Sequence, residues 1–145
     1  MRISLPALLA SLTFVSAAVG MGYVWDTRRD SSQAAELYAN ECAYCHGNAL
    51  EGQHGWRLAV FDSRTAAPPL DGTGHTSHHS DHMLLRTMRR AARPGFGHAG
   101  PSLQGEYSEK EFRELLEWIK SHWSERERRY QRDLNTWLSD EPGPR

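Results

Sequence analysis

The 145-residue chain has only two cysteines, Cys42 and Cys45, too few for a disulfide framework. It carries no excess of charge either. Its 17 basic and 18 acidic side chains give a net charge of −1, which speaks against a polycationic nucleic-acid surface. It contains no phosphate-cradling glycine loop, paired-carboxylate site or nucleophile-base motif. No convincing strand pattern appears, so the alternating strands and helices of a thioredoxin-like fold are missing. Methionine is scarce: beyond the N-terminal segment there are only Met83 and Met88. Hydrophobic residues make up 39% of the chain, and much of that share sits at the N-terminus, which leaves the rest lean in core-forming side chains. About 115 residues of such composition make one modest domain, of a size often completed by a metal, a disulfide or a cofactor.

What is present begins with a run of 23 uncharged residues from Ile3 to Trp25, preceded by Arg2 and followed by Asp26-Thr-Arg-Arg-Asp30. About 20 apolar residues suffice to cross a bilayer as a helix, and Tyr23 and Trp25 suit an interface. The run is expected to remain as an anchor. Its alternative is a signal peptide cleaved near Ala17-Ala18-Val19-Gly20. Either way the chain from about Asp26 onward is exported to a disulfide-permissive side of the membrane, the periplasm in a Gram-negative source. Three regions are expected: 1–30 as leader, 31–123 as the main domain, and 124–145 as a polar extension.

Within the exported part, Ala34, Ala35, Leu37, Tyr38 and Ala43 recur at helical spacing, predicting a helix from about Ser31 to Cys42. A long Gly/Pro-rich loop is expected between Gly47 and Gly74, carrying Trp56 and Phe61. A loop of that length in a small domain has to wrap something. Ser80 caps a predicted helix to about Arg93, with Met83, Leu84, Thr87 and Met88 expected on its inner side. Ser108 and Glu111 form a capping box for a helix whose Phe112, Leu115, Leu116 and Ile119 fall on one face, and this helix should pack on the first. Beyond Trp123, residues 125–132 mix both signs of charge and predict an exposed helical extension.

The chemistry lies in Cys42-Ala-Tyr-Cys45-His46, which has the spacing of a covalent haem attachment site. Two thiols on one helical turn can each add to a vinyl group of one porphyrin, placing the adjacent imidazole on the iron. On spacing alone, a redox disulfide or a zinc site with two further ligands remains open.

The chain resembles class I c-type cytochromes of the single-haem bacterial kind related to haem domains of haem-copper oxidase subunits. The resemblance covers about Ala34 to Trp123. It rests on Leu37-Tyr38, Asn40-Glu-Cys42-Ala-Tyr-Cys45-His46-Gly47, Leu50-Glu-Gly-Gln53, Pro68-Pro69, Gly74-His-Thr-Ser-His-His79 and Leu115-Leu-Glu-Trp-Ile-Lys120. It implies an all-α fold, a small helical domain around one covalent haem c, preceded here by the N-terminal hydrophobic helix. Cys42 and Cys45 would hold the haem and His46 would be its proximal ligand. The second nitrogen of a ligating histidine needs a fixed acceptor, and in similar cytochromes it is a proline carbonyl, here Pro68 or Pro69. Trp56 and Arg57 could meet the haem carboxylates.

One departure stands out. The family places a Met-Pro dipeptide before the last helix, and the methionine binds the iron. Here Gly100 stands at that position. His98 in the same Gly-rich stretch is the best substitute ligand, Met83 and Met88 are lesser ones, and a vacant sixth position is the remaining case. His75, His78, His79 and His82 have spacing that would suit a second metal only if the segment were one helix, and hydrogen-bonding roles near the haem edge are preferred. Arg86, Arg89, Arg90 and Arg93 form a basic run that could steer an acidic redox partner. The expected function is one-electron transfer between redox partner proteins at the periplasmic side of the membrane, in a respiratory or related chain. The protein is then a carrier rather than an enzyme. A gas sensor or peroxidase-like protein with an open iron position is the alternative, and a Cys-x-x-Cys thiol oxidoreductase a third.

Overall fold

A computed structural model of the protein describes residues 30–59, 66–92, 103 and 105–140. Among the described residues there are helices and turns and no strand. The chain divides into two units, Met1–Gln33 and Ala34–Arg145. Of the first, only residues 30–33 are described, and they are helical. The hydrophobic leader lies outside the described residues, and among these no helix is long and apolar enough to cross a membrane.

In the second unit, α1 covers residues 34–41 and α2 is the single turn Ala43–His46. After them come α3 (Trp56–Ala59), a 3-10 turn (Thr76–His78), α4 (Asp81–Ala91), α5 (Glu109–Ser121) and α6 (Glu125–Asp140). The start of α5 follows directly from sequence. The Ser108 hydroxyl accepts from the Glu111 amide, and the Glu111 carboxylate accepts from the Ser108 amide at 2.7 Å, so two otherwise unpaired helix donors are satisfied together. The apolar stripe then buries Phe112, Leu115, Leu116 and Ile119. Burial of one such side chain is worth about 1.5–3 kcal/mol.

That stripe divides between two clusters. Leu115 and Ile119 join Tyr38, Leu50 and Trp123, whereas Phe112 and Leu116 join Leu85 of α4. Tyr38 of α1 meets Trp118 of α5 with ring centroids 5.0 Å apart, the expected packing of the first helix on the one that Ser108 and Glu111 cap. Two expectations need correction. On α4, Leu85 is the buried residue, flanked by Leu84 and Met88, while Thr87 is exposed and Met83 is 51% exposed. The inward stripe therefore runs Leu84, Leu85, Met88, Ala92, and residues 83 and 87 fall more than a quarter-turn from its centre. Second, α6 is not simply an exposed extension. It runs to Asp140 and packs on the 3-10 turn, with Gln131 completely buried.

Candidate functional site

The site grows out of the end of α1. The Cys42 amide donates to the Tyr38 carbonyl at 2.9 Å, and the amides of Cys45 and His46 donate back to the Cys42 carbonyl at 3.1 and 2.9 Å. One helical turn thus gathers Cys42, Cys45 and His46. Both cysteines are half-buried and neither forms a disulfide. Gly47 ends the turn at φ +81°, where its carbonyl accepts from the Tyr38 hydroxyl at 2.7 Å. Burial, with smaller contributions from Glu41 and Cys45, pushes the Cys42 thiol up to about 12.

His46 is held by a brace of backbone bonds. Its Nδ1–H donates to the Pro68 carbonyl at 2.9 Å, which leaves Nε2 free of protein hydrogen bonds among the described residues. Pro68 is fixed in turn, because the Gln53 amide donates to the Ala67 carbonyl at 2.8 Å, the Ala67 amide donates to Gln53 Oε1 at 3.0 Å, and the Leu70 amide donates to the Leu50 carbonyl at 2.8 Å. The Gly52 amide closes the loop on the His46 carbonyl at 2.8 Å. Gly52 has φ +71°, and a Cβ there would lie 2.5 Å from the Pro69 nitrogen, so the two segments approach closely only because that atom is missing. Leu50 itself adopts φ +62°, an uncommon conformation for a non-glycine residue, with its side chain buried in the core. Burial lowers the His46 pKa, while the Pro68 bond acts in the other direction. Burial thus favours the neutral imidazole, and the Pro68 bond fixes one tautomer and leaves one nitrogen available, which is the form that binds a metal.

A second group of donors lies along the next loop. The Arg57 guanidinium sits over the Trp56 ring at 5.0 Å, Trp56 stacks on His75 at 5.6 Å, and His75 meets the edge of His79 at 5.3 Å. Burial, then the facing His75 and His78, lowers the His79 pKa. No carboxylate pairs with Arg57 among the described residues. His82 lies exposed on α4, beyond the break at Ser80. Among the described residues no group of three or more His, Cys, Asp or Glu side chains comes together to hold a metal.

His98, Gly100 and Arg93 lie outside the described residues. Of the lesser ligand candidates, Met88 packs against both core clusters, whereas Met83 faces outward. Sequence reasoning missed three contributors. Tyr38, expected only as an apolar-face residue of the first helix, also ties α1 to Gly47 through its hydroxyl. Gly52 permits the brace and gave itself away only by sitting in the Leu50–Gln53 stretch. Gln131 gave no signal.

Two free thiols on one turn, with a neutral and oriented imidazole beside them, fit covalent haem, and in an all-helical small domain they define a c-type cytochrome. A family profile described as cytochrome c oxidase, cbb3-type, subunit III matches residues 29–119, and the chain belongs to that family. The family is one of c-type cytochrome domains that bind covalent haem c, and the chain is accordingly an electron-transfer protein. Comparison with curated proteins and with solved structures gave no match.

Proposed function

We propose that Cys42 and Cys45 carry one haem c through thioether bonds, that His46 Nε2 is the proximal iron ligand, and that the domain passes single electrons between redox partner proteins on the periplasmic side of a bacterial inner membrane. The observation that carries this reading is the 2.9 Å bond from His46 Nδ1 to the Pro68 carbonyl. It orients the ring, fixes the tautomer and strengthens the free nitrogen as a donor. Bound haem would supply a one-electron Fe(III)/Fe(II) couple. Trp56, Arg57 and His75 present hydrogen-bond donors suited to its two carboxylates. The brace from Leu50 to Leu70 keeps the imidazole from moving as the charge of the site changes.

Residues 1–30 act as the anchor or signal peptide, 31–123 as the cytochrome domain and 124–145 as a C-terminal extension. A respiratory oxidase or a related redox chain is the setting suggested by the family's description. Gly100 at the usual methionine position supports a second reading, in which the sixth position is open and the protein is a gas sensor or peroxidase-like. Absorption spectra of the ferric and ferrous protein separate the two. Low-spin spectra that do not respond to carbon monoxide and that change in His98→Ala are expected for a bis-histidine carrier. A high-spin spectrum altered by carbon monoxide would replace the carrier with the sensor.

A further inference from the structure

Helix α6 begins at Glu125, beyond the residues the family profile matches, yet its buried face is devoted to the segment that carries the site's histidines. Gln131 is 0% exposed, and its Nε2 donates to the His79 carbonyl at 3.0 Å. One turn later Asn135 Oδ1 accepts from the Asp81 amide at 2.9 Å, satisfying a donor at the first turn of α4. The Tyr130 ring lies 5.2 Å from His78, and Lys120 of α5 holds the Asp81 carboxylate at 3.1 Å. The C-terminal end of the 3-10 turn and the residues after it, from His78 to Asp81, are therefore gripped from α6 and α5. Gln131 Oε1 is buried with no partner among the described residues. An apolar side chain would have avoided that cost, which is about 1–3 kcal/mol for a buried acceptor. What Gln131 contributes there is its amide N–H, which fixes the His79 backbone.

We propose that Gln131 and Asn135 are positioning residues of the redox site. They hold His79 and Asp81, the His79 ring packs on His75, and His75 stacks on Trp56, and through this chain α6 sets the electrostatics around the haem carboxylates. This rests on the reading of Trp56, Arg57 and His75 as the carboxylate-facing donors. Released from Gln131, the turn no longer keeps His75 on Trp56. The carboxylates are then less well neutralised, and reduction of the iron is disfavoured.

The test compares the full-length haem-loaded protein with Gln131→Leu, Asn135→Ala and, as a control on the same helix, Trp137→Ala, whose side chain is 60% exposed. Helical content and haem absorbance confirm that each is folded. The midpoint potential is expected to fall in the first two variants, with a drop of about three- to tenfold in the equilibrium constant for reduction, the size of one or two lost hydrogen bonds. Trp137→Ala should leave it in place. Amide exchange gives a second readout that needs no haem: protection of residues 78–83 is expected to decrease in Gln131→Leu and Asn135→Ala alone. Unchanged protection would overturn the positioning role. Lost protection with an unchanged potential would overturn its link to the redox site. Absence of haem from the unaltered protein would instead sink the functional reading, and amide exchange alone would then decide the role of the clamp.

Discussion

The brace behind His46 and the clamp on the 3-10 turn each fix a loop, with different materials. Around His46 the bonds join backbone to backbone: Gly52 to His46, Gln53 to Ala67, Leu70 to Leu50. They depend on one absent atom, the Cβ of Gly52. Around the turn the bonds come from side-chain amides on α6, Gln131 to His79 and Asn135 to Asp81. Backbone bonds cannot be removed singly by truncating a side chain, so apart from the Ala67 amide bond to Gln53 Oε1 the brace fails when the two segments are forced apart. Side-chain bonds can be removed one at a time, so the clamp is open to gradual adjustment. The rigid device sits behind the residue whose orientation has to be fixed. The adjustable one sits where electrostatics can be tuned.

The sharpest way to break the comparison is Gly52→Val. A Cβ 2.5 Å from backbone, at φ +71°, has to push Pro68 and Pro69 away from His46. A loss of about 3 kcal/mol or more is expected, with lower haem occupancy, read by thermal unfolding and by haem absorbance. Next comes Leu116→Ala in the cluster shared by α4 and α5, which should cost about 2–5 kcal/mol in urea unfolding. It should weaken brace and clamp alike, because both stand on α5. Asn135→Ala removes one amide acceptor and should cost only about 1–2 kcal/mol. Ser108→Ala, which dismantles the α5 cap, should cost about 1 kcal/mol in the same measurement.

The smallest effect is one of pH. Burial, then His75 and His78, lowers the His79 pKa below the ordinary histidine value of 6.5. As pH falls through the ordinary histidine range, the unfolded chain binds a proton that folded His79 resists, so stability declines toward acid. The urea midpoint should fall between about pH 7.5 and 5.5, and less so in His79→Gln. An equal slope in both proteins would remove His79 from this account.

What was legible in sequence follows the same division. The Cys-x-x-Cys-His turn, the Ser108–Glu111 box and the stripe from Phe112 to Ile119 are local patterns, and each one settles its own geometry. Pro68 or Pro69 was expected as the partner of His46 from resemblance, and the structure selects Pro68. The stripe on α4 was misjudged by a quarter-turn because Met83 and Leu85 are both apolar and only the position of α5 distinguishes them. The buried face of α6 was illegible because Gln131 and Asn135 are polar, and apolar periodicity is blind to a surface packed through amides. The stack of Trp56 on His75 joins residues far apart in sequence, and no local rule announces it.

We propose Cys42 and Cys45 as the attachment points of one covalent haem. The direct test is denaturing mass spectrometry of the full chain expressed in the periplasm with haem-attachment machinery, next to a Cys42→Ala, Cys45→Ala double variant. The expected result is a mass one haem above that of the polypeptide, together with cytochrome absorbance, both lost in the variant. A mass without haem, with two titratable thiols, would contradict it.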